Sequence, residues 1–429
     1  MKKKLNATLS KTKFAGCPIV PVAANPGGTE LSDAEPIGIQ PLIDMLCSKT
    51  YLPSREPSGP LTFAVDHCFS IRGQGTIMTG TILSGSIAIN DTVEIPSMKV
   101  TKKVKSMQMF KQPIEKASQG DRVGICVTQF DPKLLERGLV CSPSSVPTII
   151  AGIIKVKRIS HFKGSITSKS KFHMTIGHET VMGKLQVFGL PSTEKNEECN
   201  MFNFEQDYVY LDELIDLTKI GTEEADKHNK AVPQSSNTGL LSKSQWALIE
   251  FEKPVTCPEN SLVIGSRLDT DIHLNKCRIA FHGKLLVPIS DKAYTETILP
   301  KLKLYKIKSR EGVVERMSDD YSVICRSLFK KETNVQNFVG LKVKLSTGEA
   351  GMIEGGFGQS GKVKIRIPSG LAKETVQLLS LTTKKKSGKG KGGASPTQEL
   401  VPNEHGGPVK VFLHFKRYIY DTAKKMIQT

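Results

Sequence analysis

The sequence predicts a mainly β protein: a short α/β piece at the N-terminus, then a string of small barrels, the last of them basic. Three observations predict it. Short β-branched runs divided by Gly, Pro and Asp recur from Leu61 onward. The 429 residues correspond to two to four domains at roughly 100–200 residues each. Apolar residues make up 38%, with no Gly or Pro period, which excludes collagen, coiled coil and full disorder.

In chain order, Pro18–Ala24 is a short apolar run that predicts a buried strand. A Pro/Gly/acidic loop follows, 25–36. Ile39, Leu42, Ile43 and Leu46 then recur at helical spacing, with Pro41 in the first turn, which predicts an amphipathic helix. One strand and one helix cannot bury a core, so this piece, 1–58, needs an α/β partner. The stretch 53–60 is Pro-rich and predicts a linker.

A first barrel is expected over 59–146, with strands at Thr62–Asp66, Gly75–Leu83, Asp91–Ile95, Val100–Met109 and Arg122–Thr128. Gly73 and Gly75 predict a tight turn, Gly80 a close backbone approach, and Asn90-Asp91 a hairpin turn. A second barrel is expected over 147–288, from Ala151–Ile159, Lys171–Ile176, Gly183–Phe188, Trp246–Phe251, Leu262–Ser266 and Cys277–Leu286. Residues 191–240 interrupt it with eleven acidic residues against four Lys, which predicts an inserted surface loop with a helical turn around Tyr208–Leu217.

The last part, 289–429, holds most of the charge. Net charge is +18 overall and +13 over 291–429. Such an excess favours an anionic partner, most often nucleic acid. In Leu341–Leu345 and Lys362–Ile367 apolar and basic residues alternate, so one face is cationic and the other buried. The candidate contacts are Arg326, Lys330, Lys331, Lys342, Lys344, Lys364, Arg366, Lys416 and Arg417; a merely solvated basic surface is the competing reading. The Lys/Gly tract 384–395 predicts a low-complexity loop, and its Lys384–Lys391 part reads equally as a nuclear-import signal or a linker.

Several function classes fall away. No apolar run reaches the ~18 residues of a membrane span. After Met1-Lys2-Lys3-Lys4 the polar stretch 6–13 stands where a signal peptide needs an apolar core. Nine scattered Cys without a Cys-x-x-Cys argue against a zinc ribbon or disulfide framework and for a reducing compartment, cytosol or nucleus. Gly356-Phe357-Gly358-Gln359-Ser360-Gly361-Lys362 matches a phosphate-binding loop except that Val363 replaces the Mg²⁺-holding hydroxyl and a strand pattern follows; it predicts a Gly-rich hairpin turn. Asn275-Lys276-Cys277-Arg278 lacks the guanine-pairing Asp, and His178–Met182 lacks the second His of a zinc protease. No catalytic site and no metal site emerge.

The informative stretch is Val65–Ile95. Its order Arg72-Gly73-x-Gly75-Thr76-x-x-x-Gly80-x-Ile82-x-x-Gly85-x-Ile87 is similar to the second domain of translational GTPases such as elongation factor Tu, and the similarity continues through Val104–Phe110, Gly120–Ile125 and Glu136–Val140. Within that family the chain resembles the eukaryotic selenocysteine-specific elongation factors in Val65–Ser70, Thr128–Gly138, Lys171–Glu179 and Asp320–Asn334, and the resemblance extends to a fourth domain that general elongation factors lack.

The resemblance implies a remnant of an α/β GTPase domain, two EF-Tu-like β-barrels and a basic C-terminal β-barrel domain. It also implies an N-terminally shortened form: the P-loop, Asp-x-x-Gly switch and Asn-Lys-x-Asp are absent. Only a last guanine-contacting loop, Ala23, Ala24 and Asn25, remains, with Asn where relatives often have Lys. GTP and Mg²⁺ belong to the full-length family and are not expected on this chain, which should not hydrolyse GTP alone. The implied function is delivery of selenocysteinyl-tRNA to the ribosome at UGA codons. Implied partners are the selenocysteine insertion element RNA and its binding protein; the protein would be a monomer without membrane contact. The resemblance places Asp66, His67 and Arg122 at the aminoacyl pocket. There Arg122 is the permanent cation, His67 a second donor, and Asp66 orients His67 or holds the α-amino group. A surface Asp121–Arg122 ion pair with His67 at the barrel rim is the competing reading. Two other functions stay open: a truncated regulator that binds tRNA or RNA without delivering it, and a general EF-Tu-like or initiation-factor-gamma-like protein.

Overall fold

The computed structural model describes the chain apart from Lys11, Gly27, 29–34, Glu56, 192–200, 217–240, Asn275, 359–360, 388–407, 422–425 and Thr429. The N-terminal piece carries α1 (Lys2–Leu9) and α2 (Ile39–Lys49), the latter at the expected place and capped by Gly38 at φ 76°. The strand expected at Pro18–Ala24 does not form. Val22 is exposed, and the one ladder contact is an isolated Ala23–Ile37 bridge. Among the described residues no strand lies beside Pro18–Ala24 to bury its β-branched side chains, and Ile43 and Leu46 of α2 are likewise exposed.

Nine strands follow: β1 (Thr62–Ile71), β2 (Gly75–Ser84), β3 (Ser86–Ala88), β4 (Thr92–Ile95), β5 (Val100–Met109), β6 (Gln112–Ile114), β7 (Lys116–Ser118), β8 (Arg122–Val127) and β9 (Gly138–Cys141). Their order β4-β9-β1-β2-β8-β5 is closed by β4–β5 pairing, so six strands make a barrel without open edges. Phe63, Met78, Ile82, Val104, Ile125 and Val140 fill it. Gly73 and Gly75 take φ 79° and 128° at the β1–β2 turn. At Gly80 a Cβ would stand 2.0 Å from the Ala64 carbonyl oxygen, the close approach the sequence predicts. Asn90 (φ 75°) does turn, yet the turn is no hairpin, because β3 pairs with β7 and β4 with β5.

The second barrel is built from β10 (Thr148–Arg158), β11 (Lys171–Ile176), β12 (Glu179–Pro191), β13 (Tyr208–Tyr210), β14 (Leu241–Thr256), β15 (Leu262–Ser266) and β16 (Ile279–Ile289). The ring β11-β15-β16-β10-β14-β12 closes through β11–β12 around Phe172 and Phe281, which meet edge to face at 5.2 Å. The expected helical turn at Tyr208–Leu217 is instead β13, with Tyr208, Val209 and Tyr210 buried; an aromatic, β-branched triplet gains more by pairing than by standing in water. The rest of the acidic insertion, 192–200 and 217–240, lies outside the described residues.

After α3 (Tyr294–Thr297) come β17 (Leu304–Asp319), β18 (Ser322–Arg326), β19 (Lys342–Leu345), β20 (Ala350–Phe357), β21 (Lys362–Arg366), α4 (Lys373–Ser387), β22 (Lys410–Tyr418) and β23 (Met426–Ile427). A third ring, β17-β18-β21-β20-β19-β22, closes through β17–β22. β13 bridges the second and third rings, antiparallel to β12 and parallel to β17. The Tyr418 hydroxyl donates to Asp207 (2.7 Å) and Gln186 Nε2 donates to Tyr420 Oη (2.7 Å) across this seam. The Gly356–Lys362 stretch caps the β20–β21 hairpin, with Gly358 at φ 67° and Gly361 at φ 71°. The loop expected over 384–395 starts as helix, because α4 runs to Ser387; the remainder lies outside the described residues.

Candidate functional site

The predicted pocket residues lie on the outer side of the first barrel. The β1–β2 register slips between Val65 and His67, since Val65 faces Gly80 and His67 faces Thr79. This bulge makes two residues of β1 oppose one of β2. Val65 lies in the core and Cys68 packs against it, so the residues between them, Asp66 and His67, share the outer face. Without the bulge, neighbours in a strand would point to opposite faces.

Asp66 is held from two strands. Thr79 Oγ1 of β2 donates to its Oδ1 at 2.8 Å, and Arg122 Nη2 of β8 meets its Oδ2 at 2.5 Å. Partial burial raises the Asp66 pKa, but the Thr79 hydroxyl, the Arg122 guanidinium and the His67 charge outweigh it and hold the carboxyl below its ordinary value. His67 is exposed and acts on Asp66 through charge. Arg122 also lines a groove of about 510 Å³ on the outside of β1, β2, β8 and β5, with Phe69, Ile71, Ile77, Thr79 and Phe110.

The Asp121–Arg122 surface pair of the competing reading does not form. Asp121 accepts from Arg55 Nη1 of the linker (3.0 Å) and from the Ser118 amide (2.9 Å), leaving Arg122 to Asp66. Asp121 closes the turn between β7 and β8, whereas Arg122 opens β8, so each finds its own partner. Sequence reasoning missed Thr79 and Arg55. Only cross-strand register reveals the first, and only the path of the linker reveals the second.

Ala23, Ala24 and Asn25 stand apart from these groups. Ala23 is occupied by the Ile37 bridge, and Asn25 Nδ2 donates to the Gly28 carbonyl (2.5 Å). The β20–β21 turn does not fit a phosphate cradle. The Gly-rich turn opens a strand rather than a helix, and Lys362 Nζ is bound to Glu315 (2.9 Å) instead of standing free for a phosphate. Among the described residues no three His, Cys, Asp or Glu gather in metal-binding geometry.

On the third ring Val363 and Ile365 are buried while Lys364 and Arg366 point out, and Val343 and Leu345 alternate likewise with Lys342 and Lys344. Arg366, Met352 and Lys342 form one cross-strand row. Lys342 and Lys416 line a common groove of about 280 Å³. Lys364 is paired to Glu354 (3.0 Å), and Lys416 lies 4.5 Å from the centre of the Tyr305 ring. Arg326, Lys330, Lys331 and Arg417 are exposed, but they do not join that row.

Comparison with known proteins agrees with this architecture. Family models match in three places: elongation factor Tu domain 2 over 75–142, the third domain of eukaryotic selenocysteine-specific elongation factors over 153–283, and the eEFSec C-terminal RIFT domain over 300–424. A selenocysteine-specific elongation factor of Mus musculus is 54% identical across 100% of this chain and 74% of its own length. One from Methanocaldococcus jannaschii is 26% identical over 84% of this chain and 65% of its own length. The crystal structure of apo translation elongation factor SelB from Methanococcus maripaludis shares the fold at TM-score 0.59 and 20% identity, covering 97% of this chain and 73% of that one. The same factor with the GTP analogue GppNHp gives 0.60 and 21%, over 97% and 74%.

Proposed function

Because this chain belongs to the family of selenocysteine-specific elongation factors, we propose that it binds selenocysteinyl-tRNA and serves its delivery to the ribosome at UGA codons. Asp66, His67 and Arg122 form the aminoacyl pocket of its first barrel, 59–146. In this reading GTP dependence, with Mg²⁺, resides in a GTP-binding domain of the α/β type. The third ring, within 289–429, meets RNA or the insertion-element complex, the second barrel spans 147–288, and the working compartment is the cytoplasm.

The supporting observation is the meeting of carboxylate and guanidinium beside the groove. The factor must accept selenocysteine and reject its seryl precursor. Size is a poor criterion, since small apolar differences yield only ~1–3 kcal/mol. Charge is better: a selenol is more acidic than a thiol, so selenocysteine is anionic at neutral pH while serine is neutral. An anion selects cationic donors, whose hydrogen bonds are roughly twice as strong as neutral ones. Filter binding of selenocysteinyl- and seryl-tRNA to the wild-type chain and to Arg122→Ala tests it. Wild type should favour the selenocysteinyl form by about tenfold or more, the worth of ~1.4 kcal/mol, and the variant should lose that preference. An unchanged ratio would refute the pocket.

A further inference from the structure

We propose that Asp66 and Arg122 are an exchangeable pair: each stands in for one charge of the aminoacyl ligand and surrenders its partner when the ligand arrives. The inference rests on the pocket reading above and concerns how that pocket selects.

Four observations carry it. The pair is solvent-accessible, with 61% of the Arg122 and 35% of the Asp66 side chain exposed. Ion pairs so exposed are weak and easily exchanged. The two partners are held unequally. Thr79 fixes Asp66 through its other oxygen, whereas Asp66 is the one partner of Arg122 among the described residues. Arg122 lines the groove and Asp66 does not, so the guanidinium can turn into the groove by side-chain rotation while the carboxylate stays. Finally, the bulge at Asp66 keeps the carboxylate outward, where an incoming ammonium reaches it.

The consequence is selection by paired charges. A selenocysteinyl ester carries an α-ammonium and a selenolate. Its ammonium takes Asp66, its selenolate takes the released Arg122, and every charge ends paired. A seryl ester supplies the ammonium alone, so it trades one ion pair for another and leaves Arg122 in water. A ligand with the selenolate alone pulls Arg122 away and strands Asp66. The pair thus rewards only a ligand that bears both charges.

The test uses the full chain and three methyl esters under reducing conditions at neutral pH: selenocysteine, serine and desamino-selenocysteine. Affinity and the Arg122 Nε–Hε resonance are followed by NMR. In wild type, removing the ammonium should weaken binding about tenfold or more. In Asp66→Asn, which has no carboxylate to strand, the same removal should matter by less than about threefold. Thr79→Val, which untethers the carboxylate, should fall between them. The Arg122 resonance should leave its carboxylate-bonded position when the selenocysteine ester binds to wild type, and should already be displaced in free Asp66→Asn. Equal responses of wild type and Asp66→Asn to loss of the ammonium, with Arg122→Ala still abolishing the selenocysteine preference, would overturn the exchange and leave the pocket standing. An Arg122→Ala variant with unchanged preference, or no ester moving the resonance, would overturn both.

Discussion

Gly80→Ala isolates the packing that shapes the first barrel. At Gly80 β1 and β2 approach so closely that an added Cβ would lie 2.0 Å from the Ala64 carbonyl oxygen and 3.0 Å from the Phe63 ring edge. Ordinary carbon contacts sit near 3.5 Å, so the strands must part by about 1.5 Å beside the Asp66 bulge. Overpacking of this kind costs about 1–3 kcal/mol, and each ladder hydrogen bond weakened adds about 0.5–1.5 kcal/mol. At about 4–8 °C per kcal/mol for a barrel of this size, a 2–3 kcal/mol loss lowers its melting temperature by about 8–24 °C. The chain supplies its own reference: the single Trp, Trp246, is buried in the second barrel. Circular dichroism should show an early transition in the variant while Trp246 fluorescence melts as in wild type. Gly355→Ala is the control, because nothing lies within 4 Å of its Cβ position and its φ is not positive; it should change stability by less than about 0.5 kcal/mol. A Gly80→Ala melt within about 2 °C of wild type, against the scale just worked, would refute the close-approach argument.

Three further outcomes follow from the hydrogen bonds and burial. Glu349 accepts from the Ala372 amide (3.3 Å) and the Thr375 hydroxyl at the start of α4, and also from Thr347. Burial raises its pKa, but those donors hold it below the ordinary value. Glu349→Gln should therefore cost about 1 kcal/mol at neutral pH, and urea melts should show the difference persisting above the unfolded carboxyl pKa and vanishing as pH falls through the lowered folded one. Tyr294 is pushed to about 12 by burial and by its hydrogen bond to Glu250, and Tyr305, Tyr418 and Tyr420 are raised chiefly by burial. Their stabilisation is complete below the unfolded phenol pKa near 10 and is lost as pH rises. In ultraviolet titration these four should ionise only as the chain unfolds, and Tyr418→Phe should destabilise the chain at neutral pH by removing the bond to Asp207, with the difference from wild type shrinking as pH rises through the phenol range. Burial raises the thiols of Cys257 and Cys325 to about 11 and 12, whereas Cys47 is exposed, so Cys47 should react with a disulfide reagent at mild pH well before Cys257 and Cys325, which should react only on unfolding.

Much of the fold was legible because barrel strands announce themselves twice, by alternation and by turn residues. Val100–Met109 and Lys171–Ile176 form as expected, and the alternating Lys342–Leu345 and Lys362–Arg366 place their charges outside. Two of the failures share one cause: they depend on what lies alongside. Pro18–Ala24 has the composition of a strand and no neighbour to pair with, whereas Tyr208–Tyr210 sits in an acidic stretch but finds two. The helix α4 is hidden for a different reason: its C-terminal end merges into the Lys/Gly tract. At the candidate site the three named residues came from a motif match. Their geometry came from a bulge between Val65 and His67, whose trace in the sequence is the consecutive polar pair Asp66-His67.

That slip explains why two consecutive polar residues appear in an otherwise alternating strand. A regular strand carrying Asp66 and His67 would bury one of them, and an unpaired buried charge costs several kcal/mol. The bulge removes that cost by turning both outward, and Thr79 and Arg122 then satisfy the carboxylate from the two next strands. Thr79 and Gly80 are neighbours on β2, one holding the carboxylate and the other letting β1 come near enough to be held. Barrel packing and the anchoring of Asp66 therefore depend on the same two residues of β2. A Gly80→Ala barrel that still folds should bind the selenocysteine ester less selectively than wild type, because parting β1 from β2 lengthens the Thr79–Asp66 hydrogen bond. Full selectivity in that variant would show that the pocket does not depend on this register.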